Sequence, residues 1–153
     1  MRLFILPALL AISLSACSEQ GPVKSTPEET FISQMFAMLN TGTAYDEICN
    51  NAAYLNARNA NLVGNFQTLA GELGAVMRKA RPDLPEASIE NRVKYQGNYA
   101  LTRAKEVLNN KGCDNPEAQQ FAKALQLYVS TPPAQTLALI EKEMARSGIT
   151  RAR

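Results

Sequence analysis

Hydrophobic residues recur every three or four positions along most of the chain, which is the period of an amphipathic α-helix. The first such stretch starts with Thr26, Pro27 and Glu29, a capping box with proline at the first helical position. Its apolar residues follow at helical spacing: Phe31, Ile32, Met35, Phe36, Met38 and Leu39. Residues 40–42 are expected to end this helix, and a second helix is expected to begin at Thr43.

The stretch from residue 43 to residue 81 has the apolar pattern of one long helix, and Pro82 ends it. It also contains many residues that weaken a helix: Gly64, Gly71, Gly74, Asn50, Asn51, Asn56, Asn59, Asn61 and Asn65. Either the helix breaks between Asn56 and Asn65, or it is continuous and the glycines let a neighbouring helix pack closely. We expect one long helix or two nearly collinear ones.

Three further helices are predicted after this proline. The first covers residues 86–110, and the second starts at Asn115-Pro116-Glu117. Residues 130–133 break the second helix and cap the third, which ends near Ser147 and Gly148. No segment alternates apolar and polar residues as a β-strand does. The pattern therefore predicts an all-α domain over residues 26–153, a small bundle of about five helices, with residues 149–153 loosely held.

The N-terminal residues differ from this domain in composition. Arg2 precedes a nearly all-apolar stretch, residues 3–14, which has the length of a signal-peptide core. It is too short to cross a bilayer, since a spanning helix needs about 20 residues. The stretch runs into Leu14-Ser15-Ala16-Cys17, which resembles the lipobox of bacterial lipoproteins: a leucine and two small residues before a cysteine.

The lipobox resemblance implies that residues 1–16 are a signal peptide cleaved before Cys17. The Cys17 sulfur then carries a diacylglyceryl group, and two or three acyl chains make a stable membrane anchor. Ser18, not aspartate, follows the cysteine, which in the lipoprotein sorting pattern implies the outer membrane, with the domain in the periplasm. Residues 17–25 are polar with glycine and proline and are predicted to be a flexible tether. The alternative is an ordinary secretory signal with a chance cysteine.

Cys49 and Cys113 are the two cysteines that remain once Cys17 is lipidated. An exported chain folds in an oxidising compartment, where such a pair is expected to form a disulfide. In the chain-entropy description, closing this long loop contributes about 4 kcal/mol to stability. The alternative is two free thiols, one of them reactive.

Composition argues against several classes of function. The chain of 153 residues has no histidine, which removes the commonest general base and the usual zinc ligand. A net charge of +2 without a basic run gives no reason to expect a nucleic-acid partner. The sequence has no glycine-rich phosphate loop, and its nearest carboxylate pairs do not share a helix face. We therefore expect no catalytic residue, no metal and no cofactor.

One surface of the third predicted helix is a candidate partner-binding site. Tyr95 and Tyr99 lie four residues apart beside the apolar stripe, with Arg92 and Arg103 next to them. Exposed tyrosine and arginine are residues that protein interfaces use as anchors. The alternative is that both tyrosines cover a second helix contact, with the arginine stems over the same surface.

Three functions fit a small helical domain on a lipid tether. The first is a non-enzymatic accessory factor that binds another protein of an envelope assembly. The second is an immunity or exclusion lipoprotein that protects against a toxin or a conjugation machine. The third is a carrier of a hydrophobic ligand. An apolar pocket of several hundred cubic ångströms would favour the carrier, whereas a filled core with exposed Tyr95 and Tyr99 would favour the protein binder.

Overall fold

The computed structural model describes residues 25–51 and 59–151, so Cys17 and the predicted signal peptide lie outside the described residues. The described residues form five α-helices and no β-strand, which confirms the predicted all-α bundle. None of these helices is long and apolar enough to cross a membrane. In chain order they are α1 (Pro27–Cys49), α2 (Ala60–Ala80), α3 (Glu86–Lys111), α4 (Pro116–Ser130) and α5 (Pro133–Arg146).

The first helix does not end at residues 40–42, as the sequence predicted, but continues to Cys49. Two side chains inside it donate hydrogen bonds back to the helix. The Asn40 amide donates to the Phe36 carbonyl (2.8 Å), and the Thr43 hydroxyl donates to the Leu39 carbonyl (3.1 Å). These bonds satisfy polar groups that otherwise compete with the helix for its backbone.

Gly42 lies where α1 and α4 pack backbone against backbone. A Cβ atom added to Gly42 comes within 2.7 Å of the Leu125 backbone nitrogen, which is closer than real Cβ atoms pack. The glycine therefore permits a close contact between two helices and does not end the first one. The prediction was wrong because this tertiary contact outweighs the local cost of glycine in a helix.

The segment 43–81 is not one long helix. Its first seven residues belong to α1, which ends at Cys49, and residues 60–80 form the separate helix α2. The asparagines account for the break, because Asn50 is the C-cap of α1 and Asn51 has a positive φ of 55°, a conformation in which asparagine is enriched. Asn59 then caps α2 by accepting from the Asn61 N–H (2.8 Å).

α2 runs antiparallel to α1, so the two helices are not collinear either. The Arg81 guanidinium, at the C-terminal end of α2, lies 2.5 Å from the Glu29 carboxylate in the first turn of α1. Both side chains are buried, and each charge complements the dipole at its own helix end. The Thr26 hydroxyl caps the same turn by accepting from the Glu29 N–H (3.1 Å), as predicted.

α1 is the central helix of the bundle and packs against α2, α3 and α4. The main core surrounds it and includes these buried residues: Ile32, Phe36, Leu39, Leu69, Leu73, Met77, Ile89, Tyr128, Ile140 and Met144. Tyr128 joins α4 to α1 directly, because its hydroxyl donates to the Met35 carbonyl (3.0 Å). Burial raises the pKa of Tyr128 above its ordinary value.

Two asparagines of α2 bind the C-terminal end of α4. The Asn65 amide, which is fully buried, donates to the carbonyls of Tyr128 (2.9 Å) and Thr131 (2.7 Å). The Asn61 amide donates to the Val129 carbonyl (3.0 Å). The last carbonyls of a helix have no partner within it, so these amides supply the missing donors. Capping thus explains several members of the asparagine-rich segment.

Cys49 and Cys113 form the predicted disulfide, with their Cα atoms 5.9 Å apart. The bond joins the last residue of α1 to a residue just after the end of α3. The two cysteines are 64 positions apart in the sequence, so the bond closes a long loop. It therefore fixes the ends of two helices that also pack along their lengths.

The C-terminal residues are held more firmly than the sequence suggested. The Ile149 N–H donates to the Met144 carbonyl (2.9 Å), and the Ile149 side chain packs against the main core. The Arg151 guanidinium pairs with Glu72 of α2 and with Glu141 of α5. The expectation of a loose end was therefore wrong for residues 149–151, because Ile149 is packed on the core and Arg151 is paired with carboxylates of α2 and α5.

Candidate functional site

An apolar groove of about 620 Å³ lies between α1, α2 and α3. Its floor is formed by α1, and its two walls are formed by α2 and α3. On the α2 wall the lining residues recur at helical spacing: Val63, Phe66, Ala70, Gly74 and Arg78. Because one face of each helix contributes, the groove follows the helix axes and is elongated.

The α2 wall contains two glycines, of which Gly71 is exposed and Gly74 is buried beside the Arg78 guanidinium. A Cβ atom added to Gly71 meets no other atom within 4 Å. One added to Gly74 meets only the Arg78 guanidinium, at 3.6 Å or more, which is ordinary van der Waals contact. Packing among the described residues therefore does not require glycine at either position, although each costs about 1 kcal/mol relative to alanine in an exposed helix interior.

The floor and the α3 wall are closely packed and partly aromatic. A Cβ atom added to Gly97 of α3 would come within 3.0 Å of the Phe36 ring of α1, so contacts within the chain explain this glycine. The Phe66 ring of α2 lies 5.3 Å from the Phe36 ring, centroid to centroid. Phe66 is 42% exposed and therefore offers apolar surface in the groove.

Charged side chains lie at the ends of the groove and along one edge. Arg78 pairs with Glu86 at 2.5 Å where α2 turns into α3. Glu47 lines the groove from α1 and pairs with a lysine of α3. Glu90 and Lys94, one turn apart, line the α3 side and are exposed. An apolar interior with a polar rim is the usual anatomy of a binding site.

The predicted partner surface lies on the other flank of α3. Tyr95 and Tyr99 are 69% and 58% exposed, and their stacked rings have centroids 6.2 Å apart. Arg92 is exposed on the same flank, and Arg103 pairs with Glu106 at 2.7 Å. The helix therefore brings the four predicted residues together on one surface, and none of the other described helices covers the tyrosines. None of the four lines the groove.

The two cysteines of the described ranges are not free thiols, and the carboxylates there do not cluster as metal ligands. Cys49 and Cys113 are joined in the disulfide, and Cys17 lies outside the described residues. Over residues 25–51 and 59–151, no group of three or more cysteine, aspartate or glutamate side chains could hold a metal ion. The groove and the tyrosine surface are two features on which a function can be based.

The sequence did not predict the groove. The apolar residues of segment 43–81 were expected to face the core, and close packing against a neighbouring helix was the alternative given for its glycines. The available signal was an excess of glycine beside an aromatic residue on one helix face. No protein-family model, curated protein or solved structure matches this chain. The geometry of the groove is therefore the basis for a functional proposal.

Proposed function

We propose that this chain is a lipoprotein of the bacterial outer membrane, anchored through acyl chains on Cys17, with its helical domain in the periplasm. The domain acts without catalysis, as an accessory factor of an envelope assembly. It binds an amphipathic helix of a partner protein in the groove between α1, α2 and α3. The anchor rests on the lipobox resemblance, and the binding function rests on the groove.

The observation that carries the binding function is the exposed glycine of the α2 wall, Gly71. Neither Gly71 nor Gly74 is required by contacts among the described residues. Glycine at the exposed position 71 lets the backbone of another helix approach α2 closely, because helix axes come as near as the side chains at the contact allow. A partner helix therefore accounts for Gly71, which otherwise only weakens α2.

The dimensions and the rim of the groove suit a helix. Its α2 wall runs from Val63 to Arg78, which at 1.5 Å per residue is about 22 Å, or about four helical turns. Glu90 and Lys94 lie at the edge, where the polar residues that flank an apolar helix face would meet them. An amphipathic helix that lays its apolar face into a hydrophobic groove is a recurring mode of recognition.

A carrier of a hydrophobic ligand is the second candidate, because the groove volume of about 620 Å³ falls among the volumes of small-molecule sites. The helix is favoured because an acyl chain has no groups that pair with Glu90 and Lys94. Native mass spectrometry of the mature protein separates the two functions. A carrier should retain a bound ligand mass through purification, whereas a helix binder should show the mass of the protein alone.

Photo-crosslinking in cells tests helix binding. A photoreactive phenylalanine in place of Val93, inside the groove, should give a protein adduct of defined mass. The same residue in place of Leu139, an exposed position on α5, is the control. Gly71→Ala adds one methyl group and should weaken the adduct, whereas Gly71→Leu fills the groove and should abolish it. An adduct that survives Gly71→Leu, or forms equally from position 139, would contradict groove binding.

Cys17→Ser tests the anchor separately. The variant should accumulate as an unprocessed precursor without acyl label, because the residue that carries the lipid is missing. Normal fatty-acid labelling of Cys17→Ser would refute the lipobox assignment. For the unaltered protein, separation of inner and outer membranes on a density gradient tests the predicted location.

A further inference from the structure

A second cleft lies beside the tyrosine pair, between α3 and the first half of α1. Its volume is about 340 Å³. Nine described residues line it, and none of them carries a charge. Tyr95 and Tyr99 are among the nine, and most of each ring is exposed. The cleft is therefore uncharged, and two aromatic rings project beside it.

The chain enters the domain at this cleft. Ser25, the first described residue, lines the cleft together with Tyr95 and Tyr99. Eight positions separate Ser25 from Cys17, and a fully extended chain of that length spans at most about 29 Å. The lipid anchor proposed above, on which this inference rests, would therefore keep the tyrosine surface close to the membrane.

The side chains suit the interfacial region of a phospholipid bilayer. Tyrosine has an apolar ring and a polar hydroxyl, and it is enriched at membrane–water interfaces. Arg92 is exposed beside the pair and adds a positive charge that attracts anionic headgroups. We infer that Tyr95 and Tyr99 insert into the headgroup region of the membrane that holds the anchor.

This contact orients the groove away from the membrane. Tyr95 and Tyr99 each lie two positions from Gly97, which lines the groove. At 3.6 residues per turn, two positions place each tyrosine roughly 160° around α3 from that glycine. With the tyrosines at the bilayer, the groove opens to the periplasm, where a partner helix can reach it. One helix thus carries a membrane contact and a protein-binding wall on opposite sides.

The test attaches the mature chain to vesicles without using Cys17. A hexahistidine tag in place of Cys17 binds nickel-chelating lipids, and the chain contributes no histidine of its own. Since the chain also has no tryptophan, Tyr99→Trp gives a single fluorescent reporter in the surface. Leu139→Trp on α5, at a residue that is 42% exposed, gives a matched reporter away from the cleft. The vesicles contain phosphatidylcholine and phosphatidylglycerol with doxyl-labelled acyl chains as the quencher.

We expect the labelled vesicles to quench the Tyr99→Trp reporter at least about twofold more than the Leu139→Trp reporter, because interfacial residues lie about 5–10 Å into the headgroup boundary. Adding Arg92→Glu should lower that quenching, since it reverses the charge that faces the anionic lipid. Equal quenching of the two reporters would contradict the inferred membrane contact. The tyrosine surface would then be a candidate site for a protein partner. Because the tag replaces the acylated cysteine, this result does not depend on the outcome of the Cys17→Ser labelling test.

Discussion

Replacing a groove glycine by alanine should stabilise the domain. An added Cβ at Gly71 meets no atom within 4 Å, so Gly71→Ala gains helix propensity without a steric cost. The expected gain in the free energy of unfolding is about 0.5–1 kcal/mol. For a domain of this size, such a gain raises the Tm by about 2–6 °C. The substitution thus measures directly whether the folded chain needs glycine at this position.

Gly42→Ala is the matched control, because it makes the same chemical change inside another helix. Here the added Cβ lies 2.7 Å from the Leu125 nitrogen, a backbone atom that cannot rotate away. The two helices must separate, and the expected loss is about 1–3 kcal/mol. Urea denaturation of the oxidised protein, followed by circular dichroism, measures both changes on one scale.

The sign of the change in unfolding free energy caused by Gly71→Ala shows whether the folded chain itself requires glycine at this position. If Gly71→Ala were neutral or destabilising, some constraint within the chain would require the glycine, and the main support for a docked helix would be lost. If the variant is more stable but captures its partner more weakly, the glycine is retained for function at the expense of stability. Such trade-offs are the usual cost of a binding site.

Three further predictions concern contacts that hold the helices around the groove. Replacing Cys49 and Cys113 by serine should lower the free energy of unfolding by about 4 kcal/mol; an unchanged urea midpoint would contradict a structural role for the bond. Asn65→Ala should cost about 1–3 kcal/mol by removing the donor from two buried carbonyls of the α4 end, again read from the urea midpoint. Burial raises the pKa of Tyr128 above its ordinary value of 10.0, so an unfolded chain ionises this group first as the pH rises. Stability should therefore fall above about pH 10, and Tyr128→Phe should show a smaller fall in a pH series of urea midpoints.

The helices from α3 onward could be predicted closely from the sequence. Their apolar residues keep the helical period, and Pro116 and Pro133 stand at the first position of α4 and α5, where proline is favoured. The disulfide followed from the count of cysteines once Cys17 was set aside. In each case the deciding information is local or is contained in a count of residues.

The boundary between α1 and α2 was misplaced because a polar residue does not reveal where its partner lies. Asn40 bonds within its own helix, so it does not end α1. Asn65 binds carbonyls more than 60 positions away in the sequence. Both are asparagines in a helical pattern, and only the fold distinguishes a residue that stabilises a helix internally from one that caps a different helix.

The groove could not be predicted for a related reason. Helical period indicates which side of α2 and of α3 is apolar, but not whether the two sides meet. Phe66 has the spacing of a core residue, yet it remains partly exposed because the walls do not close over it. The tyrosine surface was easier to find, since Tyr95 and Tyr99 lie off the apolar stripe of their own helix.

Contacts outside the groove hold its two walls apart. The core side of α2 is fixed, because Leu69 is fully buried and Asn65 is bonded to the end of α4. Its C-terminal end is fixed to α1 by the buried pair of Glu29 and Arg81. The α2 wall could move toward α3 only by breaking these interactions, so the groove is formed before any partner arrives. The cost of ordering on binding then falls on the partner helix, which is the general advantage of a preorganised site.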